Sequence, residues 1–448
     1  MITSEIGGQT VGNGEPAFLR PGGRTLLITL MALMMLLSAI IPAYAQPRQD
    51  TLRLNLNEAE KMFLDSNLQL LAQRYNIDAE QALVVQARLY PNPNFGVTHG
   101  LYSVTLHQFF PTGINDETTI GLNQEIIIAG KRNKAVRLAE ANVELSQYQF
   151  FDLMRTLKYT LRTDFFQIYY QLRSAQVYTA EINALQHIVG AFIQEEGKGY
   201  ISEKEVVRIR AQLYSFQAEY SDLINSINST ESELRLVLQA RPNVFVEPVV
   251  DSGAIDKLDP GQYSLNTLLD SAYHNRTDLQ IARTNTKINQ LNYDYQKALA
   301  VPDPSLSLGY DEAGSFLYGY YGIGVSIDLP VFNHNQGNIR NAKSLIDNTA
   351  VTQKYTQATV EENVAASLQK AFAQERLFRS IDPKFAADFQ RLTAEVVKNY
   401  EKRNISILDF LDFYDSYKQN AVELNTILYN RVSAFEDINF YTGTNFFN

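Results

Sequence analysis

The sequence predicts a mainly helical protein whose few strands are shared among several copies of the chain to close a β-barrel in a membrane. Three observations lead to this fold class: a signal for export near the N-terminus, one unit that is written twice, and long helical patterns that follow short amphipathic hairpins. Together they describe an exported chain that combines long paired helices with short strands.

The composition is that of a folded, acidic protein without cysteine. The chain has 448 residues, 45% of them hydrophobic, and a formal net charge of -10. This balance argues against nucleic acid as a partner, because phosphates are bound by basic faces. Without cysteine there is no disulfide, no thiolate metal site and no cysteine for N-terminal lipidation. No nucleophile elbow, phosphate loop or zinc pattern occurs either, so we predict no enzyme activity, no cofactor and no metal site.

The N-terminal segment has the features of a secretory signal peptide. Arg24 precedes an apolar run from Leu26 to Ile41, and the small-residue site Ala43-Tyr44-Ala45 follows. We therefore expect residues 1–45 to be removed on export. The alternative is an N-terminal membrane anchor, but the apolar run is shorter than the ~20 residues that a spanning helix needs.

The rest of the chain contains one unit twice. The matching motifs are residues 91–93 with 302–304, 121–122 with 324–325, and 201–202 with 405–406, at offsets of 211, 203 and 204 residues. We therefore predict a first repeat over residues 54–241, an irregular proline-containing linker over residues 242–264, and a second repeat over residues 265–448.

Each repeat contains, in the same order, a helical stretch, a β-hairpin and a long helix. A Pro-x-Pro motif ends the first helical stretch, because proline cannot continue a helix. Alternation of apolar with small or polar residues then predicts strands within residues 94–128 and again within residues 305–331. No proline occurs between Pro111 and Pro242, so a helix from about Lys131 to Glu196 is predicted to run for roughly 100 Å.

The second helix of each long pair carries a coiled-coil seam. Its apolar residues step by three and four positions, which makes a narrow packing stripe rather than the broad stripe of a globular helix. The two seams are Val206, Ile209, Leu213, Phe216, Tyr220, Leu223 and Ile227, and Ile407, Phe410, Tyr414, Tyr417, Ala421, Leu424 and Leu428. We expect these helices to pair with other helices along their length.

The strands pose a physical problem if the protein spans a membrane. Four strands cannot close a barrel, and an open sheet edge is not tolerated in lipid because each unpaired backbone group costs several kcal/mol. Three copies supply twelve strands, an even number that suits an outer-membrane barrel. We therefore predict a trimer with a 12-stranded β-barrel and a periplasmic α-helical barrel.

This layout closely resembles the TolC-like outer membrane efflux proteins over nearly the whole chain after residue 45. The stretch DLPVFNHNQGNI at residues 328–339 is similar to a signature of the heavy-metal efflux branch of that family, the CzcC and CusC type. The resemblance implies a passive trimeric duct in the outer membrane of a Gram-negative bacterium, with a long periplasmic extension. It also implies export of substrates that an inner-membrane pump of the resistance-nodulation-division type delivers through a periplasmic adaptor, and the signature of the heavy-metal branch implies heavy-metal cations as those substrates.

The resemblance also implies roles for particular residues. The turns that meet the adaptor, here called the tips, match the family at Gly199, Tyr200 and Ile201 and at Arg403, Asn404 and Ile405, although Arg403 stands where the family usually has glycine. The constriction of the periplasmic entrance matches at Tyr400, Asp409 and Asp412, here called the entrance residues.

The helical phase of the two aspartates gives a reason that does not depend on the resemblance. At about 100° per residue, Asp409 and Asp412 lie away from the seam at Ile407 and Phe410, and three copies would form a ring of carboxylates at a cation path. The alternative for the aspartates is a solvated helix face, and Asp415 is expected to be ordinary surface. For the whole chain, the alternative is a periplasmic coiled-coil scaffold or the adaptor itself, without a channel.

Overall fold

The computed structural model describes residues 50–447 except 105, 113–116, 314–316 and 383. The signal peptide expected over residues 1–45 lies outside the described residues. Ten helices occur in the described part of the chain, and their order repeats after the linker, with two helices in the second repeat where the first has one long helix. They are α1 (Leu56–Ser66), α2 (Leu68–Ala87), α3 (Lys131–Gly197), α4 (Glu203–Leu238), α5 (Ser252–Ile255), α6 (Leu265–Asn275), α7 (Thr277–Leu299), α8 (Gln336–Ser380), α9 (Phe385–Glu401) and α10 (Ile407–Thr442).

The predicted long helix is confirmed. Helix α3 has 67 residues, which corresponds to roughly 100 Å at 1.5 Å per residue. The helical stretch before each hairpin is instead divided into two helices. In the first repeat the break falls at Asn67, whose side-chain oxygen accepts hydrogen bonds from the backbone N–H groups of Gln69 and Leu70. Its amide also donates to the carbonyl of Val237, so the break anchors α2 to the end of α4.

Both predicted hairpins are present, and they join into one antiparallel sheet. Its strands are β2 (Asn94–His99), β5 (Thr118–Glu125), β7 (Pro304–Ala313) and β8 (Tyr318–Ile327), in the spatial order β2-β5-β7-β8. Strands β3 (Tyr102–Ser103) and β4 (Gln108–Phe109) form a separate short pair. Within this single chain β2 and β8 are the two edges of the four-stranded sheet.

The register of this sheet separates the residue types onto two faces. On one face a row runs from Phe95 through Leu122 and Leu308 to Ile323. These apolar side chains are exposed in the single chain, Ile323 by 74%. On the other face a row of four glycines crosses all four strands; these are Gly96, Gly121, Gly309 and Gly322.

The linker is more ordered than the sequence predicted. Strand β6 (Val244–Val249) pairs with β1 (Asp50–Asn55) in a two-stranded sheet. Val246 is fully buried, and its backbone N–H donates to the carboxylate of Glu231. The prediction of an irregular linker was wrong here because the partner strand lies before the first helix, far away in the sequence.

Three clusters of buried side chains hold the helices together. The first joins α1, α3 and α4 around Phe63 and Phe165, and the second joins the corresponding helices of the second repeat around Leu268 and Phe435. The third lies near the tips and joins α3, α4, α9 and α10. It contains the predicted seams, since Val206, Ile209, Leu213, Phe216, Phe410 and Tyr414 are all buried. None of the helices in the described part of the chain is long and apolar enough to cross a membrane.

Candidate functional site

The two tips are built in the same way. Each begins where a helix ends in a residue with a left-handed backbone, Gly199 with φ of 75° and Arg403 with φ of 61°. The backbone N–H of the next residue then donates to a carbonyl five positions earlier, from Tyr200 to Glu195 and from Asn404 to Asn399. This is the Schellman arrangement that ends many helices, usually at glycine. Arg403 holds the same conformation at a cost of about 1 kcal/mol, because its Cβ crowds the following carbonyl.

The tip residues are partly available for contact. Gly199, Tyr200, Arg403 and Asn404 are exposed, whereas Ile201 and Ile405 are half-buried. Ile405 packs against the third cluster. Each tip is therefore an exposed turn that follows a hydrogen-bonded helix end and is followed by a half-buried isoleucine.

A capping box follows each tip and defines the position of Asp409. The hydroxyl of Ser406 donates to Asp409 Oδ2 at 2.7 Å, and the backbone N–H of Asp409 donates back to Ser406 Oγ at 3.2 Å. Ser202 and Glu205 form the same pair in the first repeat, where hydrogen bonds from Ser202 lower the pKa of Glu205. Capping boxes satisfy backbone donors at the start of a helix. Asp409 therefore fixes the first turn of α10 in addition to any role at the entrance.

Asp412 and Tyr400 lie in different surroundings. Asp412 is exposed on α10. The ring of Tyr400 stacks on Phe410, with centroids 4.5 Å apart, and also contacts Phe192. Burial, and then the carboxylate of Glu205, raise the pKa of the Tyr400 phenol. The structure thus places Tyr400 within the packing of α3, α9 and α10, and the two aspartates on the exposed side of α10.

Asp415 is not ordinary surface, contrary to the expectation. It lies 3.2 Å from Lys418 Nζ and accepts a hydrogen bond from Gln419. Lys418 is only 4% exposed; its ammonium group also lies 2.7 Å from Glu219 Oε2 and 4.7 Å from the ring centroid of Phe216. A buried ammonium needs such partners to remain charged. The sequence signal for this cluster was a lysine four positions after the seam residue Tyr414.

The carboxylates around this cluster differ in their proton affinity. Burial acts to raise the pKa of Glu219, but hydrogen bonds from Lys418 and Tyr178 outweigh it and lower the pKa below its usual range. Burial raises the pKa of Glu181, against a smaller opposing effect of its hydrogen bond with Tyr414. Within the described residues, no group of three or more His, Asp or Glu side chains could hold a metal ion.

Two tandem helix-and-hairpin units, a sheet with one exposed apolar face and paired capped tips make up the layout of the TolC-like channel fold. Residues 61–239 match the family model described as outer membrane efflux protein. The matched stretch falls within the first repeat, and the chain is similar to the TolC-like outer membrane efflux proteins.

The chain is also similar to individual outer-membrane channel proteins and to a metal-resistance protein. The chain is similar to the cobalt-zinc-cadmium resistance protein CzcC of Cupriavidus metallidurans, with 23% identity over 305 residues that cover 68% of this chain and 69% of the relative. Among solved structures it is similar to the CmeC outer membrane channel of Campylobacter jejuni, with a TM-score of 0.71, 16% identity, and coverage of 87% of this chain and 86% of that one. Crystal structures of CusC give a TM-score of 0.70, 15% identity, and coverage of 87% and 92%.

These comparisons confirm several predictions made from the sequence. The chain is mainly helical with the fold of TolC-like channels, and its family consists of outer-membrane channel proteins, not enzymes. An outer-membrane location and a role as the channel component of an efflux system follow. Members of the family are normally trimeric and work with an adaptor and an inner-membrane pump. The alternative of a scaffold or adaptor without a channel is thereby excluded.

Proposed function

We propose that three copies of this chain form a passive duct that exports cations across the outer membrane. The observation that carries the proposal is the four-stranded sheet with two open edges and an exposed apolar face. Unpaired edges and an apolar face are both satisfied when copies join edge to edge in lipid. The opposite face bears the glycine row, and a Cβ added at Gly96 or Gly121 would meet no atom within 4 Å. At Gly322 a Cβ would instead meet the ring of Tyr320 at 2.9 Å. This face, with small residues on β2 and β5 and Tyr320 on β8, would line the lumen.

The helices continue this duct toward the periplasm, and the tips meet the partner proteins. We assign Gly199, Tyr200 and Ile201, together with Arg403, Asn404 and Ile405, to contact with a periplasmic adaptor. The adaptor would connect the duct to an inner-membrane pump of the resistance-nodulation-division type, which supplies the energy. Heavy-metal cations are the proposed substrates, because the chain is similar to a cobalt-zinc-cadmium resistance protein and carries the motif at residues 328–339.

The cation proposal is tested by metal tolerance. A Gram-negative strain that lacks its own channel but keeps the matching adaptor and pump should regain tolerance to Co²⁺, Zn²⁺ or Cd²⁺ when it expresses this chain. The measurement is the minimal inhibitory concentration of each metal, with the empty vector as the control. Unchanged tolerance to all three metals, in cells that hold the protein in the outer membrane, would contradict heavy-metal export but leave the duct itself in place.

The entrance residues have a proposed role in selecting and gating cations. Three copies bring three Asp412 and three Asp409 carboxylates to the periplasmic end, and a ring of like charges at a constriction favours cations. Asp409 also caps α10. Asp412 makes no such structural contact among those described, so its substitution tests the charge alone. Tyr400 would have an indirect role: its ring stacks on Phe410 and so holds the first turns of α10 in place.

We predict that Asp409→Asn with Asp412→Asn weakens cation preference and the block by divalent cations in planar lipid bilayers. Asparagine at 409 still has an oxygen that can accept from Ser406, so α10 should keep its cap and the effect should come from the lost charges. Asp222→Asn, an exposed aspartate on α4, is the matched control. If the double variant keeps the selectivity and block of the parent channel, the proposed charge ring is wrong.

A further inference from the structure

The internal repeat indicates how the edge strands of neighbouring copies pair. The chain holds two kinds of strand junction, one within each hairpin and one between the hairpins. In the hairpins Phe95 pairs with Leu122, and Leu306 pairs with Val325. Adding the repeat offsets of 211 and 203 residues to the first pair yields the second pair, so the offsets found in the motifs also hold for the backbone pairing.

The junction between the hairpins is therefore a template for the junction between copies. In it β5 pairs with β7, with Leu122 opposite Leu308. The repeat equivalent of β5 is β8, and the equivalent of β7 is β2, and these are the two open edges of the sheet. Applying the same offsets converts Leu122 into Val325 and Leu308 into Val97.

We propose that β8 of one copy pairs antiparallel with β2 of the next copy, with Val325 opposite Val97 and Ile327 opposite Phe95. This inference rests on the proposed trimeric duct and adds the register of its three interfaces. This register keeps apolar side chains of both copies on the same face of the sheet. A shift by one residue would instead turn the apolar side chains of one strand to the opposite face. Val325 and Val97 are 74% and 56% exposed and both lie on the apolar face, so this pairing continues the apolar face into the next copy.

One feature of the template changes at the interface between copies. Inside the chain Asp303 accepts from the backbone N–H of Ile128 and forms an ion pair with the buried Lys131, the first residue of α3. Asp303 corresponds to Asn92 at the offset of 211 residues. Lys131 follows the left-handed residue Gly130, as Gln336 follows the left-handed Asn335. The positions equivalent to the ion pair are therefore the neutral Asn92 of one copy and Gln336 of the next, whose side-chain amide makes local hydrogen bonds with His334 and Phe332.

The register is tested by cysteine cross-linking in the membrane, since the chain has no cysteine of its own. Residues directly opposite each other have Cα atoms about 4.5–5.5 Å apart, within the range of a disulfide, whereas diagonal neighbours lie about 7–8 Å apart. After oxidation, Val97→Cys with Val325→Cys should give covalent dimers and trimers on non-reducing gels. The yield should be on the order of tenfold above that of Val97→Cys with Ile323→Cys or with Ile327→Cys.

The internal template provides the matched control. Leu122→Cys with Leu308→Cys should close a disulfide within one chain, detected by loss of thiol labelling, because it occupies the equivalent pair. If this control oxidises and a shifted pair cross-links best, the register is overturned while the trimer stands. If the control oxidises, no pair links copies and the native protein still runs as a trimer, edge pairing is overturned. If the native protein is a monomer in the membrane, the proposed duct itself fails.

A second measurement does not depend on disulfide geometry. Asn92→Asp with Gln336→Lys rebuilds the ion pair of the template between copies. We expect the double variant to dissociate in detergent at a higher temperature than the sum of the two single-variant shifts predicts, because the charges are paired only when both are present. Additive shifts would contradict the proposed neighbourhood of these two residues.

Discussion

Replacing Arg431 by alanine is expected to lower the free energy of unfolding by about 3–5 kcal/mol, the usual cost of breaking a buried ion pair. Arg431 is 1% exposed, and its Nε lies 2.6 Å from Glu375 Oε2 on α8. Its other nitrogens donate to the carbonyls of Ile255 and Leu258 in the linker. The substitution would leave a buried carboxylate and two buried carbonyls without this donor.

Arg379 offers a matched control for this prediction. It binds the other oxygen of the same Glu375, but its side chain is largely exposed, so Arg379→Ala should change stability little. Urea unfolding of the detergent-solubilised protein, followed by circular dichroism at 222 nm, measures both. Adding Glu375→Gln to Arg431→Ala should recover part of the lost free energy of unfolding, since it removes the carboxylate charge that faced Arg431. Equal effects of the two arginine substitutions would show that burial does not set the strength of these contacts.

The parts of the fold that follow from short-range pattern could be predicted from the sequence. The 3-4 spacing of Ile209, Leu213 and Phe216 reports one helix face, and the alternation in β8 reports one sheet face. Each pattern needs only a few consecutive turns or pleats to be visible. Strand β6 could not be predicted in this way, because its stability comes from β1 and from Glu231, which only the folded chain brings together.

The positions of the two aspartates of the candidate site could be predicted from the sequence, whereas the partners of other buried or half-buried charges could not. The phase of Asp409 and Asp412 correctly placed both on an exposed side of α10, and the sequence Ser-x-x-Asp at residues 406–409 is itself a capping-box signal. The partners of Asp415 and Arg431 were not predictable, because Lys418 and Glu375 are chosen by helix packing. A buried charged residue is usually paired, but its partner cannot be identified from the sequence alone.

Asp164 is a buried charge without such a partner, and it should make stability depend on pH. It is 7% exposed on α3, and its Oδ2 has no hydrogen-bond partner within the described residues. Burial, and then the nearby carboxylate of Glu233, raise the pKa of Asp164 to about 7. The phenol of Tyr429 on α10 also lies within its electrostatic reach. The unfolded chain should instead titrate near ~3.9, so the folded state holds a proton that the unfolded state has lost between these two values.

The sign of the effect follows from this difference. Below about pH 4 both states bind the proton, and stability from this group is complete; as the pH rises to about 7 the free energy of unfolding should fall by up to about 4 kcal/mol, then stay level. Asp164→Asn, which cannot ionise, should match the parent near pH 4 and exceed it in stability at pH 8. Glu233→Gln should give a smaller gain, and the exposed Asp222→Asn should give none. Urea unfolding at pH 4, 6 and 8 separates these outcomes, and parallel pH curves for the parent and Asp164→Asn would mean that Asp164 is already ionised in the folded protein.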